Sequence, residues 1–191
     1  MTGEMGDWPT RDEALDILHQ WTKNVNLRKH AYAVEAAMRA YAERFAEDPE
    51  RWGVVGLLHD FDYEKYPTLE DHPFKGAEFL RGKGYPDELV AGVVAHAAHT
   101  GAGRDTPMKK AVFAVDELTG LIVAVALVRP SKKLADADVD SVLKKWKEKS
   151  FAAGVDRGQI EQGAADLGVP LDEHIGVVLH AMRGISDRLG L

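Results

Sequence analysis

Apolar residues recur along this chain at intervals of three and four, and nowhere do they alternate in twos for the length of a strand. Thr10 followed by Glu13 has the spacing of a capping box, and Leu15, Ile17, Leu18 and Trp21 form the stripe behind it, so a first helix is expected to about Lys23. Asn26 can cap a second helix, along which Leu27, Val34, Ala37, Met38, Tyr41 and Phe45 share a face. Asp48-Pro49 pairs an N-cap with a proline at the first helical position, and predicts a third helix through Trp52, Val55 and Leu58 to His59-Asp60. The polar, proline-ended FDYEKYP then reads as a loop.

Asp71-His72-Pro73 opens a fourth helix, stopped by Gly82 and Gly84, and Pro86 begins a fifth. The fifth carries His96 and His99, three apart on one face, before Gly101. Thr106-Pro107 starts the most apolar helix, which Arg129-Pro130 closes. From Ser131 the stretch SKKLADADVDSVLKKWKEKS predicts an amphipathic helix with lysines outward. A short helix from Asp156 to Gly168 and a final one after Pro170 read as packing cover. The expected architecture is all-α: a single-domain bundle of about eight or nine helices, without internal repeat, low-complexity tract or linker.

Composition narrows the chemistry. A chain of 191 residues with 45 % hydrophobic content can bury a core without covalent staples. Its formal charge of −7 disfavours a nucleic-acid polymer or an anionic membrane surface as partner. There is no cysteine, so any metal must be held by imidazole and carboxylate. The acidic start MTGEMGDWPTRDE has no apolar core and does not read as a signal peptide, and 111–128 is interrupted by Asp116 and Glu117 and is short for a membrane span. A cytoplasmic protein is the simplest expectation.

The run GVVGLLHDFD ends in adjacent His59 and Asp60. By themselves these two would serve as a helix cap. Two further residues change their weight: His30 lies on the apolar face of the second helix, and Asp116 sits among Val115, Leu118 and Leu121 in the most apolar one. A carboxylate buried there must be compensated or protonated, and a divalent cation compensates it. Two His and two Asp from three helices make a site suited to Mn, Fe, Zn or Ni.

His30 in NLRKHAYAVEAAM, His59-Asp60 in GLLHDFD and Asp116 in AVFAVDELTG resemble, in order and in helical context, the pattern of the HD-domain metal-dependent phosphohydrolases. The resemblance covers about 26–120, with about 131–191 as a helical extension. Some branches of that superfamily carry two more His, and DHPFKGAEFL and VVAHAAHTG resemble those segments, which adds His72 and His96 and implies two metals. Asp60 then bridges, with His30, His59 and Asp116 on one ion and His72 and His96 on the other. Two ions about 3.5–4 Å apart activate water and stabilise an in-line displacement at phosphorus. The resemblance therefore implies hydrolysis of a phosphate ester or anhydride of a small nucleotide or phosphorylated metabolite.

The chain departs from the family at one place. Many members have Lys three residues after the His-Asp pair, where Tyr63 stands here. Lys65 and Lys109, with Asp60, are the remaining candidates for a catalytic role, the lysines as phosphate contacts. Gly84-Tyr85-Pro86 falls upstream of His96 and reads as helix punctuation, so the diguanylate-specific activity is not carried over. His99 is either a contact near the metals or a surface residue, and His19, His174 and His180 stand outside the pattern. Two other readings stay open: a di-iron oxygenase of the same fold, and a ligand-sensing or interaction module without catalysis.

Overall fold

The computed structural model describes residues 6–191; the first part of the acidic start, 1–5, lies outside the described residues. Among these, ten α-helices and two 3-10 turns account for the regular structure, with no strand. The helices are α1 (Arg11–Trp21), α2 (Val25–Arg44), α3 (Pro49–Leu58), α4 (Phe74–Gly82) and α5 (Asp87–Ala95). They continue as α6 (Pro107–Leu127), α7 (Val139–Trp146), α8 (Arg157–Leu167), α9 (Leu171–Arg183) and the single turn α10 (Ser186–Leu189). The 3-10 turns are Ala98–Thr100 and Leu134–Asp136. No helix among the described residues is long and apolar enough to cross a membrane.

Most helix starts follow the capping chemistry in the sequence. Thr10 Oγ1 accepts the Glu13 amide at 3.3 Å while Glu13 Oε2 accepts the Thr10 amide at 2.7 Å, closing the capping box. Asp48 and Thr106 cap α3 and α6, each followed by proline, and Asp156 caps α8. The second helix begins earlier than its expected cap: Asn24, not Asn26, turns its side chain to the free amides of Asn26 and Leu27, at 2.8 and 3.3 Å. The mixed-charge stretch after Ser131 is also less helical than its periodicity implies. Asp138 and Ser141 form a capping box inside it, so the helix is restricted to the eight residues of α7.

Two glycines fix how the bundle packs. A Cβ on Gly56 would stand 2.8 Å from the Glu35 backbone, so glycine lets α3 lie against α2 at backbone contact. On the other side a Cβ on Gly163 would stand 2.4 Å from Ala114 Cα, so α8 seats on α6 in the same way. Between them lies one apolar core that includes Leu57, Leu58, Leu118, Leu121, Ile122 and Met182, all 0 % exposed. Each such side chain contributes about 1.5–3 kcal/mol by leaving water.

One polar group inside this core is structural. His174 on α9 is fully buried; its Nε2–H donates to the Ala114 carbonyl of α6 at 2.9 Å, and its Nδ1 accepts the Tyr41 hydroxyl of α2 at 2.5 Å. Three helices are thus pinned through one neutral imidazole. Burial pulls its pKa down to about 4, against a carbonyl contact that works weakly the other way. Below pH 6.5 the unfolded chain takes up a proton that the folded chain refuses, so this residue removes stability as pH falls from about 6.5 to 4. The loss is about 2–3 kcal/mol by pH 4.5. Urea unfolding of the wild type and His174→Gln at pH 7 and 4.5 checks this: the variant is less stable at pH 7 and loses less on acidification. Parallel losses in both proteins would exclude His174 as the source.

Candidate metal centre

The six residues singled out for metal binding converge on one end of the bundle, where α2, α3, α5 and α6 meet. His30 comes from the first turns of α2, and His59 caps α3 with Asp60 directly after it. His72 precedes α4, His96 caps α5, and Asp116 lies in the middle of α6. They form two groups of potential ligand atoms, His30 with His59 and Asp116, and Asp60 with His72 and His96, each group within 4.8 Å.

Asp60 lies between the groups. Its Oδ1 stands 3.2 Å from His72 Nε2 and 3.1 Å from His96 Nε2, and its Oδ2 faces His59 Nε2 at 3.7 Å and His30 Nε2 at 3.9 Å. One carboxylate therefore offers one oxygen to each group. Asp116 Oδ1 completes the first group, 3.0 Å from His30 and 3.5 Å from His59.

The outer nitrogen of every imidazole is already committed. His59 Nδ1–H donates to the Gly56 carbonyl at 2.7 Å, and His96 Nδ1–H donates to the Val93 carbonyl at 2.6 Å. His72 Nδ1–H donates to Asp62 Oδ1 at 2.7 Å. The Thr119 hydroxyl gives its proton to the Asp116 carbonyl at 2.8 Å, so its oxygen accepts from His30 Nδ1–H at 3.3 Å. All four Nε2 lone pairs consequently point inward, and they come within 3.2 Å in the pairs His30–His59 and His72–His96.

Facing lone pairs beside two carboxylates require positive charge. Without metal, protons supply it. Burial works to lower the pKa of His59, yet Asp60 and Asp116 outweigh it and hold the group up at about 9; His72 reaches about 9 in the same way, through Asp60 and Asp62. Burial likewise works to raise the two aspartates, but the imidazoles hold both below the usual carboxylate range. Divalent cations fit the same donor set with the imidazoles neutral: three ligand side chains per group, all nitrogen and oxygen.

The two candidate lysines fall elsewhere. Lys65 places its Nζ 4.0 Å above the Trp21 indole, and Lys109 pairs with Asp105 at 2.8 Å. Neither lines the cavity over the six residues, so the geometry lends no support to a phosphate contact from either. His99 is not on a common helical face with His96. The helix ends at Ala95 because His96 turns back onto the Val93 carbonyl, and His99 falls in the following 3-10 turn, where its Nε2–H donates to the His72 carbonyl at 2.8 Å.

Asp62 went unnoticed in the sequence. It is fully buried, with Oδ1 on His72 and Oδ2 accepting the Gly76 amide at 2.7 Å. Its signal was the second acidic residue of HDFD, directly after an apolar position. A cavity of about 460 Å³ opens over the centre, lined also by Tyr63, Leu69, His99, Glu117 and Gln159. A larger one, about 760 Å³, lies between Trp8, Arg51 and Tyr85, away from every potential ligand atom.

The family model described as HD domain matches residues 27–139, more than half of the chain, and that segment holds all six converging residues. The chain belongs to the HD-domain family, whose members are in general metal-dependent hydrolases. No curated protein and no solved structure matches it.

Because Asp62 orients His72, its effect on cation affinity is separable from that of the ligands themselves. Asp62→Asn replaces one of its two acceptor oxygens by a donor, so either His72 or the Gly76 amide loses its bond. Calorimetric titration of chelator-stripped protein with Mn²⁺ is expected to show affinity about 10–100-fold weaker in the variant. Wild-type affinity would mean that Asp62 acts on packing alone.

Proposed function

We propose that this HD-domain chain is a metal-dependent phosphohydrolase acting on a phosphate ester or anhydride, with His30, His59 and Asp116 holding one divalent ion, His72 and His96 a second, and Asp60 shared by both. The observation that carries this reading is the split of Asp60, one oxygen toward each group. Two ions held so supply water as hydroxide near neutral pH and offset the charge that develops on the attacking and leaving oxygens at phosphorus.

The protein's own residues do the rest. The carbonyls of Gly56 and Val93, with Asp62 and Thr119, hold a proton on Nδ1 of each of the four imidazoles and fix the ring direction, so that Nε2 faces the centre. His99 braces the His72 carbonyl from the loop that follows α5. No lysine or arginine lines the cavity among the described residues, so neutralisation of a bound phosphoryl group rests on the metal centre and not on a side-chain cation.

Elemental analysis followed by a phosphate-release screen with p-nitrophenyl phosphate, mononucleotides, dinucleoside polyphosphates and cyclic nucleotides tests the reading. Asp60→Ala is expected to lose bound metal and turnover together while keeping its helical circular dichroism. Turnover at the wild-type rate in that variant would defeat the shared-carboxylate assignment. Bound iron with oxygen uptake and no phosphate release would transfer the site to oxygenase chemistry.

A further inference from the structure

The cavity over the metal centre has a wall that the family segment does not supply. Gln159 lies in the first turn of α8, beyond residue 139 where the family match ends, and it lines the cavity beside Glu117 and Gly120 of α6. The two side chains are held by the same corner of the fold. Glu117 Oε2 accepts the Asp156 backbone amide at 3.1 Å, and the Gln159 backbone amide donates to Asp156 Oδ1 at 3.0 Å. Gln159 Nε2 donates to the Phe113 carbonyl at 3.3 Å. One of its two N–H groups is thereby used, and Gln159 Oε1 and Glu117 Oε1 are acceptors without a partner among the described residues.

Another part of the lining is apolar and aromatic. Tyr63 stands edge-on to His72 at 5.3 Å between ring centres, and it and Leu69 are 41 % and 64 % exposed. The lining thus combines acceptors with apolar surface, and among the described residues it contains no lysine or arginine. Such a wall repels a second phosphate and satisfies hydroxyl donors. Its volume, about 460 Å³, is of the size that small-molecule sites use.

Resting on the phosphohydrolase reading, we infer that the substrate is a phosphomonoester with one phosphoryl group on a neutral, hydroxyl-bearing remainder, a pentose phosphate or a nucleoside monophosphate, and that Glu117 and Gln159 read its hydroxyl groups. The seating of α8 on α6 through Gly163 and Ala114 sets the height of that wall. Members of the family with another segment after α6 would have another wall on the same metal centre.

Steady-state kinetics with the Mn²⁺-loaded full chain test this, using p-nitrophenyl phosphate, D-ribose 5-phosphate, and adenosine mono-, di- and triphosphate. Phosphate release from any of these supports the phosphohydrolase reading on its own; release from none of these and none of the wider panel above defeats that reading, and the phosphonate binding below then decides the acceptor wall. The inference requires kcat/KM for ribose 5-phosphate or the monophosphate to exceed those for p-nitrophenyl phosphate and the triphosphate by at least about tenfold. Preference for ribose 5-phosphate over the monophosphate would identify the sugar as the whole remainder, and the reverse would add the base against Tyr63 and Leu69.

In Glu117→Gln and Gln159→Met, the ratio of kcat/KM for the preferred substrate to that for p-nitrophenyl phosphate is expected to fall about 10–100-fold, mostly through KM, as for loss of a hydrogen bond to a charged or buried acceptor. Calorimetry provides a readout without turnover. A phosphonate analogue of adenosine monophosphate should bind at least about tenfold tighter than methylphosphonate, and the two variants should reduce that difference. A wild type that prefers the triphosphate, a preference ratio unchanged in both variants, or equal binding of the two phosphonates would each overturn the inference.

Discussion

Four imidazole lone pairs directed at a common centre, with two carboxylates among them, form an arrangement that cannot stand without positive charge. Everything around the centre preserves that arrangement. Each Nδ1–H is tied to an acceptor behind it: two helix-terminal carbonyls, one buried carboxylate and one threonine hydroxyl. Rotating any ring to relieve the Nε2–Nε2 approach would strand a buried donor, at a cost of about 1–3 kcal/mol. Protons can supply the charge, and cations supply it without disturbing the tautomers, so the second-row bonds and the centre specify each other.

The helices deliver these groups because two of them approach at backbone contact. Gly56 does two things at once: its missing side chain admits α2, and its carbonyl accepts His59 Nδ1–H. His59 is therefore oriented by the same turn that brings α3 to α2, on which His30 lies. The end of α5 repeats the device, with the Val93 carbonyl three residues before His96. Both histidines occupy C-cap positions, where terminal carbonyls lack helical partners. An imidazole there satisfies a carbonyl with one nitrogen and presents the other to the centre.

The six converging residues were legible in the sequence because each is a polar residue at a position that periodicity or helix punctuation assigns to the interior. His30 and Asp116 break apolar faces, and His59-Asp60 ends an apolar run. Their orienting partners were much less so. Asp62, Thr119 and the Gly56 and Val93 carbonyls act through tertiary placement that no spacing rule encodes. Lysines mislead for the opposite reason: a flexible cation finds the nearest π face or carboxylate, and Lys65 and Lys109 found Trp21 and Asp105. The expected common face of His96 and His99 failed for a local reason, since the turn of His96 onto Val93 ends the helix on which the i, i+3 rule depends.

The segment that reads as packing cover turns out to bear on the site. Gln159 would be an unremarkable polar residue in the first turn of an amphipathic helix, and Asp156 an ordinary N-cap. What gives them weight is the depth at which α8 seats on α6, where Gly163 meets Ala114 with no room for a methyl group. A helix pulled in that far carries its N-terminal turn to the rim of the centre, so that the Asp156 amide reaches Glu117 and Gln159 faces the cavity. The six converging residues lie within the segment that the family model matches, while Gln159 on one wall of the cavity comes from α8, beyond it. Changes in α8 can therefore alter what the cavity admits without moving any of the six converging residues.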